Sequence, residues 1–167
     1  MAWQITEQYV VTQAIDASET TQAVPFGTIV KAFDDTYGAG EFIYLKGVGS
    51  TVVGSLVTWN SSSFLTTLVP NTANLNNPVA AAMSANAATT SYGWYQVGGL
   101  AIIKKTAVAI GPQVPVYISG TAGRVRGTAA SGKQIVGARS ANAATVAAGT
   151  STILVLINRS FAQGAVA

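Results

Sequence analysis

The chain contains no cysteine and no histidine, and each absence restricts its chemistry. Without cysteine there is no disulfide, no thiolate zinc site and no cysteine nucleophile. Without histidine the chain lacks the most common general base, the most common metal ligand and the usual partner that activates a serine. The enzyme and metal-site classes that depend on either residue are therefore excluded.

Charged residues are also scarce, at 9% of 167 residues, against about 25% in ordinary soluble domains. Nine Lys/Arg and six Asp/Glu give a net charge of +3. The basic residues are scattered and form no stripe of the kind that binds nucleic acid. A surface so poor in charge is unusual for a free monomer, which suggests that partners cover much of it. The net charge indicates only a weak preference for an acidic partner.

Long apolar runs are missing too, although the mean hydropathy is +0.39. Because no stretch of about 18 apolar residues is free of polar ones, no membrane span is predicted. Residues 1–7 lack the basic and apolar regions of a signal peptide. We therefore expect a protein that is made and kept in a cytoplasm or assembled there into something larger, with no membrane or nucleic-acid partner.

An internal repeat is the most informative feature that the chain does contain. The hexapeptide SANAAT occurs at Ser84–Thr89 and again, unchanged, 56 positions later at Ser140–Thr145. Related flanking residues predict one β unit present twice, at about 52–101 and 109–157. The alanines would allow a single helical turn at each hexapeptide. Since asparagine tolerates the left-handed region, a non-helical turn is at least as favourable there.

From Phe26 onward, short β-prone runs alternate with turn residues. Strands are predicted at 26–33, 41–46, 55–59, 64–69, 79–83, 93–97, 100–104, 114–118, 123–126, 135–139 and 152–156. Asn60–Ser63 predicts a hairpin turn, and the asparagine-rich stretch 70–78 predicts a loop. No segment longer than about ten residues has helical periodicity. The pattern predicts an all-β fold, a small β-barrel or sandwich over 25–159.

The two ends have a different composition from this domain. Residues 1–24 are polar and thinly apolar, which leaves two interpretations: a loose terminus with one short strand, or an extended N-terminal arm that orders on a neighbouring subunit. In the second interpretation Trp3 and Tyr9 anchor the arm, because aromatic side chains bury a large area in such contacts. Residues 160–167 are predicted to be a flexible tail.

The six carboxylates offer little for catalysis or metal binding. Asp35 and Glu41 lie on either side of a glycine loop, where they could face a bond as a glycosidase pair does. Asp34 and Asp35 could supply oxygen ligands to calcium, although they lack the usual ligand spacing. A solvated loop explains these residues better, so no metal site and no cofactor are predicted.

Serine and threonine are abundant, but no nucleophile motif accompanies them. A serine–lysine mechanism needs a buried lysine, and adjacent Lys104 and Lys105 would place at least one amine in solvent if they lie in a strand. Gly38–Gly40 lacks the rest of a dinucleotide fingerprint, and Gly132–Gln134 is not a phosphate loop. The chain is therefore predicted not to be an enzyme.

Two groups of side chains are candidates for contacts with partners. Trp94 and Tyr95 form a dense aromatic pair, which could be a stacking platform for carbohydrate or nucleic acid. Because neighbouring strand residues face opposite ways, core packing on one side and a subunit contact on the other is favoured. Arg124 and Arg126 share a strand face, either solvated or paired with acidic groups of a partner. Arg139 is a further candidate.

A series of motifs runs through about 26–158 in a fixed order. The series consists of Glu41–Val48, Pro78–Met83, Tyr92–Gly99, Val116–Tyr117, Gly123–Val125 and Ile135–Ala138. In this order the chain resembles the small β-rich capsid decoration (cement, or head stabilisation) proteins of tailed bacteriophages. The motifs are structural, and none of them is a catalytic signature.

The resemblance implies a non-enzymatic structural protein of the virion, made in the bacterial cytoplasm and placed on the outer capsid surface. It implies binding to the major capsid protein, self-association as a homotrimer and reinforcement of the shell against DNA pressure. The predicted capsid or subunit contacts are Trp3, Tyr9, Trp94, Tyr95, Arg124, Arg126 and Arg139. The alternative hypothesis is a head-fibre or tail-associated β-domain that binds host glycans through Trp94 and Tyr95.

Overall fold

The structure, a computed structural model, describes residues 13–165 and the backbone of Gln4–Ile5. These residues form β-strands and no helix, so the described part of the chain has no helix of a length and hydropathy that would span a bilayer. The strands are β1 (Gln4–Ile5), β2 (Ser18–Glu19), β3 (Ile29–Asp34), β4 (Gly38–Lys46), β5 (Leu56–Trp59), β6 (Thr66–Leu68), β7 (Val79–Ala82), β8 (Tyr92–Lys104), β9 (Pro115–Ile118), β10 (Val125–Arg126), β11 (Gln134–Ser140) and β12 (Thr152–Ala162). The all-β prediction is confirmed.

The strands form one curled antiparallel sheet, a half-barrel. Its order is β1-β3-β4-β8-β12-β11-β9-β10, and β5 to β7 join it through the pairing of β7 with β8. The first half of β8 pairs with β4 and the second half with β12, and Gly98 takes part in both pairings. The long strand β8 therefore connects the two halves of the fold.

Buried apolar side chains cover both faces of β8. On one face Trp94 packs with Tyr44 and Ile15, and on the other Tyr95 packs with Leu45 and Val57. The largest cluster lies among the C-terminal strands, with β8, β9, β11 and β12 each contributing fully buried residues. The prediction that Trp94 and Tyr95 face opposite sides of the strand is confirmed, but both side chains point into the core.

Several predicted elements are present with small boundary shifts. The turn at Asn60–Ser63 connects the antiparallel strands β5 and β6, as predicted. The two strands predicted at 93–97 and 100–104 are in fact one strand, β8. Gly99 does not end it: its φ is +95°, and a Cβ there would lie 2.5 Å from the carbonyl oxygen of Ala39. Glycine therefore lets β4 approach closely while the strand continues.

Each hexapeptide leads from one antiparallel strand to its partner, β7 to β8 in the first copy and β11 to β12 in the second. Neither copy contains helix: the first has bend, turn and irregular backbone, and the second begins with Ser140, the last residue of β11, and continues as bend and irregular backbone. Their side chains have different contacts: Asn86 Nδ2 donates to the Tyr95 hydroxyl at 2.9 Å, whereas Asn142 Oδ1 accepts from the Leu154 amide at 3.0 Å. The strand order agrees with a repeated unit, and the duplication itself stays a prediction.

The C-terminal boundary differs from the one predicted. β12 continues to Ala162, and both Ser160 and Ala162 are buried. The first three residues assigned to a flexible tail therefore belong to the sheet. The sequence did not reveal this, because the polar pair Asn158 and Arg159 interrupts the apolar alternation of the strand.

The N-terminal boundary also differs. Gln13 and Ile15 are buried, and Gln13 Nε2 donates to the Tyr92 carbonyl oxygen at 2.9 Å. Residues 13–24 therefore belong to the folded body and not to an arm. The predicted anchors Trp3 and Tyr9 lie outside the described residues.

Candidate interaction surface

Exposed apolar side chains of the sheet gather around β3 and β12. Ile29 and Phe33 of β3 are 39% and 44% exposed, and Phe161 of β12 and Val136 of β11 are 48% and 52% exposed. Ile29 and Phe33 point to the same side, because exposed and buried residues alternate along β3. Val136 and Phe161 lie directly opposite each other and so share a face.

Ile29 and Phe161 meet at an apolar pocket of about 170 Å³. Its other lining residues are Ile43, Trp59, Pro78, Val79, Val97, Arg159 and Ser160. In the sheet, β4 and β8 separate β3 from β12. The curl of the sheet thus brings side chains of distant strands to one concave site.

A polar pocket of about 370 Å³ adjoins the apolar one and shares Arg159 with it. Arg159 Nε donates to Glu41 Oε2 at 2.9 Å, and this hydrogen bond raises the pKa of Arg159. Lys31 also lines the pocket, so two cations face one carboxylate. We give the name β3–β12 surface to the two pockets together with the exposed side chains of Phe33 and Val136. Its defining residues are Ile29, Lys31, Phe33, Glu41, Val136, Arg159 and Phe161.

Arg159 reaches the polar pocket through an irregularity in β12. Asn158 and Arg159 are consecutive and both exposed, which breaks the alternation of the strand. The register with β11 shifts opposite Gly137. The φ of Arg159 is +43°, in the left-handed region that residues other than glycine seldom occupy. Such a backbone costs of order 1 kcal/mol and persists only where neighbouring contacts hold it.

The structure contradicts two of the predicted contact residues. Trp94 and Tyr95 are each 0% exposed. Trp94 packs against Tyr44, with ring centroids 4.9 Å apart, and Tyr95 accepts the Asn86 hydrogen bond inside the core. Because the chain itself covers both rings, neither can touch a capsid protein, a second subunit or a glycan.

The predicted arginines lie on or beside β10 and β11, and none of them lines the two pockets. Arg139 is exposed. Arg124 is half-buried, and its Nη1 donates to the Lys105 carbonyl oxygen at 3.5 Å. Arg126 Nε is buried and has no hydrogen-bond partner among the described residues. Of the three, Arg139 is best placed to meet a partner.

Lys105 is buried, which the sequence did not indicate. Its Nζ donates to the carbonyl oxygens of Thr106, Val108 and Ala148 at 3.2, 2.9 and 3.3 Å. Burial lowers the pKa of Lys105, while the three carbonyls supply an acceptor for each ammonium proton. The amine holds two loops together, and no serine hydroxyl is among these partners.

Two of the carboxylates make contacts within the fold. Asp34 Oδ1 accepts hydrogen bonds from the amides of Thr36 and Tyr37 at 2.8 and 3.0 Å, which fixes the turn between β3 and β4. Glu41 is paired with Arg159. Within residues 13–165 no three acidic, histidine or cysteine side chains are grouped so as to hold a metal ion.

Comparison with known proteins leaves the chain without an assigned family. A scan against protein-family models finds no match, and a search of curated proteins finds none either. The function is therefore inferred from the β3–β12 surface together with the motifs of the sequence.

Proposed function

We propose that the chain is a non-enzymatic structural protein of a tailed-bacteriophage head that binds the outside of the assembled capsid and stabilises it. The observation that carries the proposal is the β3–β12 surface, where exposed apolar side chains line a pocket in a chain with only 9% charged residues. Contiguous exposed apolar groups of this kind mark interaction sites. The motif series of the sequence supplies the class of partner, the major capsid protein.

The stabilisation would arise from linkage. A protein that binds the assembled shell and not the free coat subunits shifts the equilibrium toward the shell. Burial of apolar surface contributes roughly 25 cal/mol per Å², and association as a homotrimer would multiply modest contacts through avidity. Protein made in the host bacterial cytoplasm would thus add to the outer surface of virions.

Co-sedimentation of the purified protein with expanded phage heads that lack it tests the proposal. We expect saturable binding at a fixed ratio to coat protein and no measurable affinity for individual coat subunits. Absence of binding to expanded heads, or tight binding to lone coat subunits, would contradict the proposal.

Two variants of similar side-chain exposure locate the contact. Phe161→Ser removes an apolar group of the β3–β12 surface, and Val108→Ser changes a 39% exposed valine in the loop after β8. We expect Phe161→Ser to weaken head binding by about tenfold or more, as for a central interface residue. Val108→Ser should bind as the wild type does, and equal binding by both variants would exclude the β3–β12 surface.

The predicted arginine contacts need a separate test. Arg139→Glu reverses an exposed charge, and if Arg139 meets an acidic capsid group, head binding should weaken and its salt dependence should fall. Arg126→Glu would place a carboxylate in a buried position, so it is unsuitable for an interface test. Unchanged binding by Arg139→Glu removes this residue from the contact.

A further inference from the structure

The apolar pocket of the β3–β12 surface is built from side chains on one face of the sheet. Its most buried lining residues are Ile43, Val79 and Val97, which come from β4, β7 and β8 and are 7%, 2% and 5% exposed. Ile29 stands directly opposite Ile43 in the β3–β4 pair, so their side chains share a face. Because strands supply these residues, the pocket is formed before a ligand arrives.

The volume and lining of this pocket fit a single aromatic ring. The volume is about 170 Å³, and seven of the nine lining residues are apolar. An apolar cavity of about 150 Å³ lined by aliphatic and aromatic side chains holds one benzene molecule. A phenyl ring therefore fills the pocket, whereas a charged group placed in it would lose water without gaining a partner.

The adjoining polar pocket contains a cation with unused donors. Arg159 lines both pockets, and its Nε donates to Glu41 Oε2 at 2.9 Å. A guanidinium has five N–H donors, and the four on the Nη atoms make no hydrogen bond within the described part of the chain. These donors can take a second carboxylate in the bidentate geometry that arginine favours.

The later strands of the chain supply no carboxylate to this place. All six Asp and Glu residues lie within residues 1–41, and residues 42–167 contain none. Among the described residues that line the two pockets, Glu41 has the one carboxylate. The left-handed backbone of Arg159, with a φ of +43°, is a second sign of function, because such strained residues cluster at binding sites.

We propose that the two pockets together receive a phenyl side chain and a neighbouring carboxylate of the partner. The ring enters the apolar pocket, and the carboxylate pairs with the Nη groups of Arg159. The inference rests on the proposed function and extends it: the segment of the major capsid protein that docks here carries a phenylalanine close to an aspartate or glutamate. A ring anchored in a pocket supplies most of the affinity, and the exposed charge pair sets orientation and partner choice.

Small molecules that carry the two groups together or separately test the proposal on the full chain. The probe is 3-phenylpropionate, which has both the ring and the carboxylate. Of the reference compounds, 3-phenyl-1-propanol lacks the charge, 3-phenylpropylamine has the opposite charge and propionate lacks the ring. NMR follows the methyl groups of Ile29, Ile43 and Val97, which line the apolar pocket.

We expect saturable shifts of these methyl groups, with a dissociation constant on the order of 1 mM for 3-phenylpropionate. The alcohol should bind about threefold more weakly, as for loss of an exposed ion pair, and propionate should not saturate. The proposal is overturned if 3-phenylpropionate gives no saturable shift of these groups. It is also overturned if the alcohol or the amine binds as tightly as the acid.

Arg159→Gln tests the charge contact, and Lys104→Gln, which removes a positive charge outside both pockets, is the matched control. The wild type and the control should prefer the acid to the alcohol by about threefold, and Arg159→Gln should bind the two equally. This ratio is the readout, because a purely structural role of Arg159 would change both affinities by the same factor. An unchanged ratio in Arg159→Gln overturns the proposal.

Ile29→Ser tests the ring contact, and Val53→Ser is the control at a 51% exposed valine before β5. Ile29 is itself 39% exposed, so the variant should fold, which thermal melting checks. We expect Ile29→Ser to weaken binding of both the acid and the alcohol by about fivefold, followed at Ile43 and Val97. Equal binding by the two serine variants overturns the proposal.

Co-sedimentation with expanded heads is a separate readout. If heads bind the chain but 3-phenylpropionate does not, this inference fails and the capsid proposal stands. If 3-phenylpropionate binds but heads do not, the capsid proposal fails, while the ring and carboxylate chemistry of the pockets stands. Where both bind, Arg159→Gln should weaken head binding and lower its salt dependence.

Discussion

Arg159 donates a hydrogen bond to Glu41 across an intervening strand. The Nε to Oε2 distance is 2.9 Å, although β8 separates β12 from β4 in the sheet. Gly98 of β8 lies between them, since it pairs with Glu41 on one side and Asn158 on the other. A Cβ on Gly98 would lie 3.3 Å from the Glu41 Cβ. Because Gly98 has no side chain, the Glu41 and Arg159 side chains can meet above β8.

Gly98→Val should disrupt this arrangement. The added methyl groups would displace the Glu41 side chain and separate it from Arg159. Overpacking of this kind costs about 1–3 kcal/mol, so the free energy of unfolding should fall by that amount. The NMR signal of the Arg159 Nε–H group should shift toward that of a solvated guanidinium.

A matched control for this change is Gly149→Val, because a Cβ at Gly149 would have no atom within 4 Å. We expect it to leave the Arg159 signal unchanged. An unchanged signal in Gly98→Val would show that the glycine does not position Glu41.

Lys105→Met should destabilise the loops at the end of β8. The variant keeps an unbranched side chain but leaves the carbonyls of Thr106, Val108 and Ala148 without their donor. Hydrogen bonds to a charged group contribute about 1.5–3 kcal/mol, offset in part because a buried charge is removed. We expect a net loss of unfolding free energy and faster amide exchange around these loops.

The neighbouring residue gives the control, since Lys104 is the last residue of β8 and is half-exposed. Lys104→Met should leave both the stability and the exchange rates close to those of the wild type. Equal stability of the two variants would mean that the carbonyl contacts of Lys105 contribute nothing.

The strands were predictable where local chemistry decides them. Asn60–Ser63 marked a hairpin because four polar residues separate two β-prone runs, and the observed β5–β6 pair confirms it. The continuity of β8 was not predictable, because a pair of glycines usually interrupts a strand. Only the close approach of Ala39, a contact distant in sequence, shows why Gly99 belongs there.

The site was less predictable than the fold. Trp94 and Tyr95 were predicted as contacts because aromatic residues cluster there. However, β8 is covered by core on both of its faces, which the alternation of residues does not reveal. The β3–β12 surface depends on the curl of the sheet, which brings Ile29 and Phe161 together. Arg159 joins this surface because its own backbone lies in the left-handed region, and no local sequence signal marks that conformation.

Tyr95 should make the fold sensitive to alkaline pH. Burial raises the pKa of Tyr95 above its ordinary value of 10.0, with the Asn86 hydrogen bond acting in the opposite direction. A phenol whose folded pKa is raised stabilises the fold at pH values below the unfolded pKa, and this stabilisation is lost as pH rises through the folded pKa. Urea unfolding should therefore show a decline in stability above about pH 10.

The comparison with Tyr95→Phe isolates this group from Lys105, whose lowered pKa acts in the opposite sense. The variant should lose about 1–3 kcal/mol at pH 8 because the Asn86 amide loses its acceptor, and its stability should decline less above pH 10. Tyr117→Phe, at a half-exposed site, is the control. An identical decline in wild type and Tyr95→Phe would contradict the assignment.

Two N-terminal truncations should separate the folded body from the predicted arm. Removing residues 1–24 deletes Ile15, which is 2% exposed, and Gln13, whose Oε1 accepts from the Tyr44 hydroxyl at 2.7 Å. Loss of the buried isoleucine alone costs about 2–5 kcal/mol, and the Tyr44 hydroxyl is left unpaired. We therefore expect a clearly lower melting temperature for this truncation.

Removing residues 1–12 spares Gln13 and Ile15 and takes only the two-residue edge strand β1 from the sheet, so its melting temperature should fall much less than that of the longer truncation. This shorter truncation therefore tests the arm, which the longer one cannot do because it also damages the core. If the arm binds a neighbouring subunit or the capsid, occupancy on expanded heads should fall while the fold remains intact. Full occupancy by the shorter truncation would exclude the arm, and equal melting of both truncations would contradict the role assigned to Gln13 and Ile15.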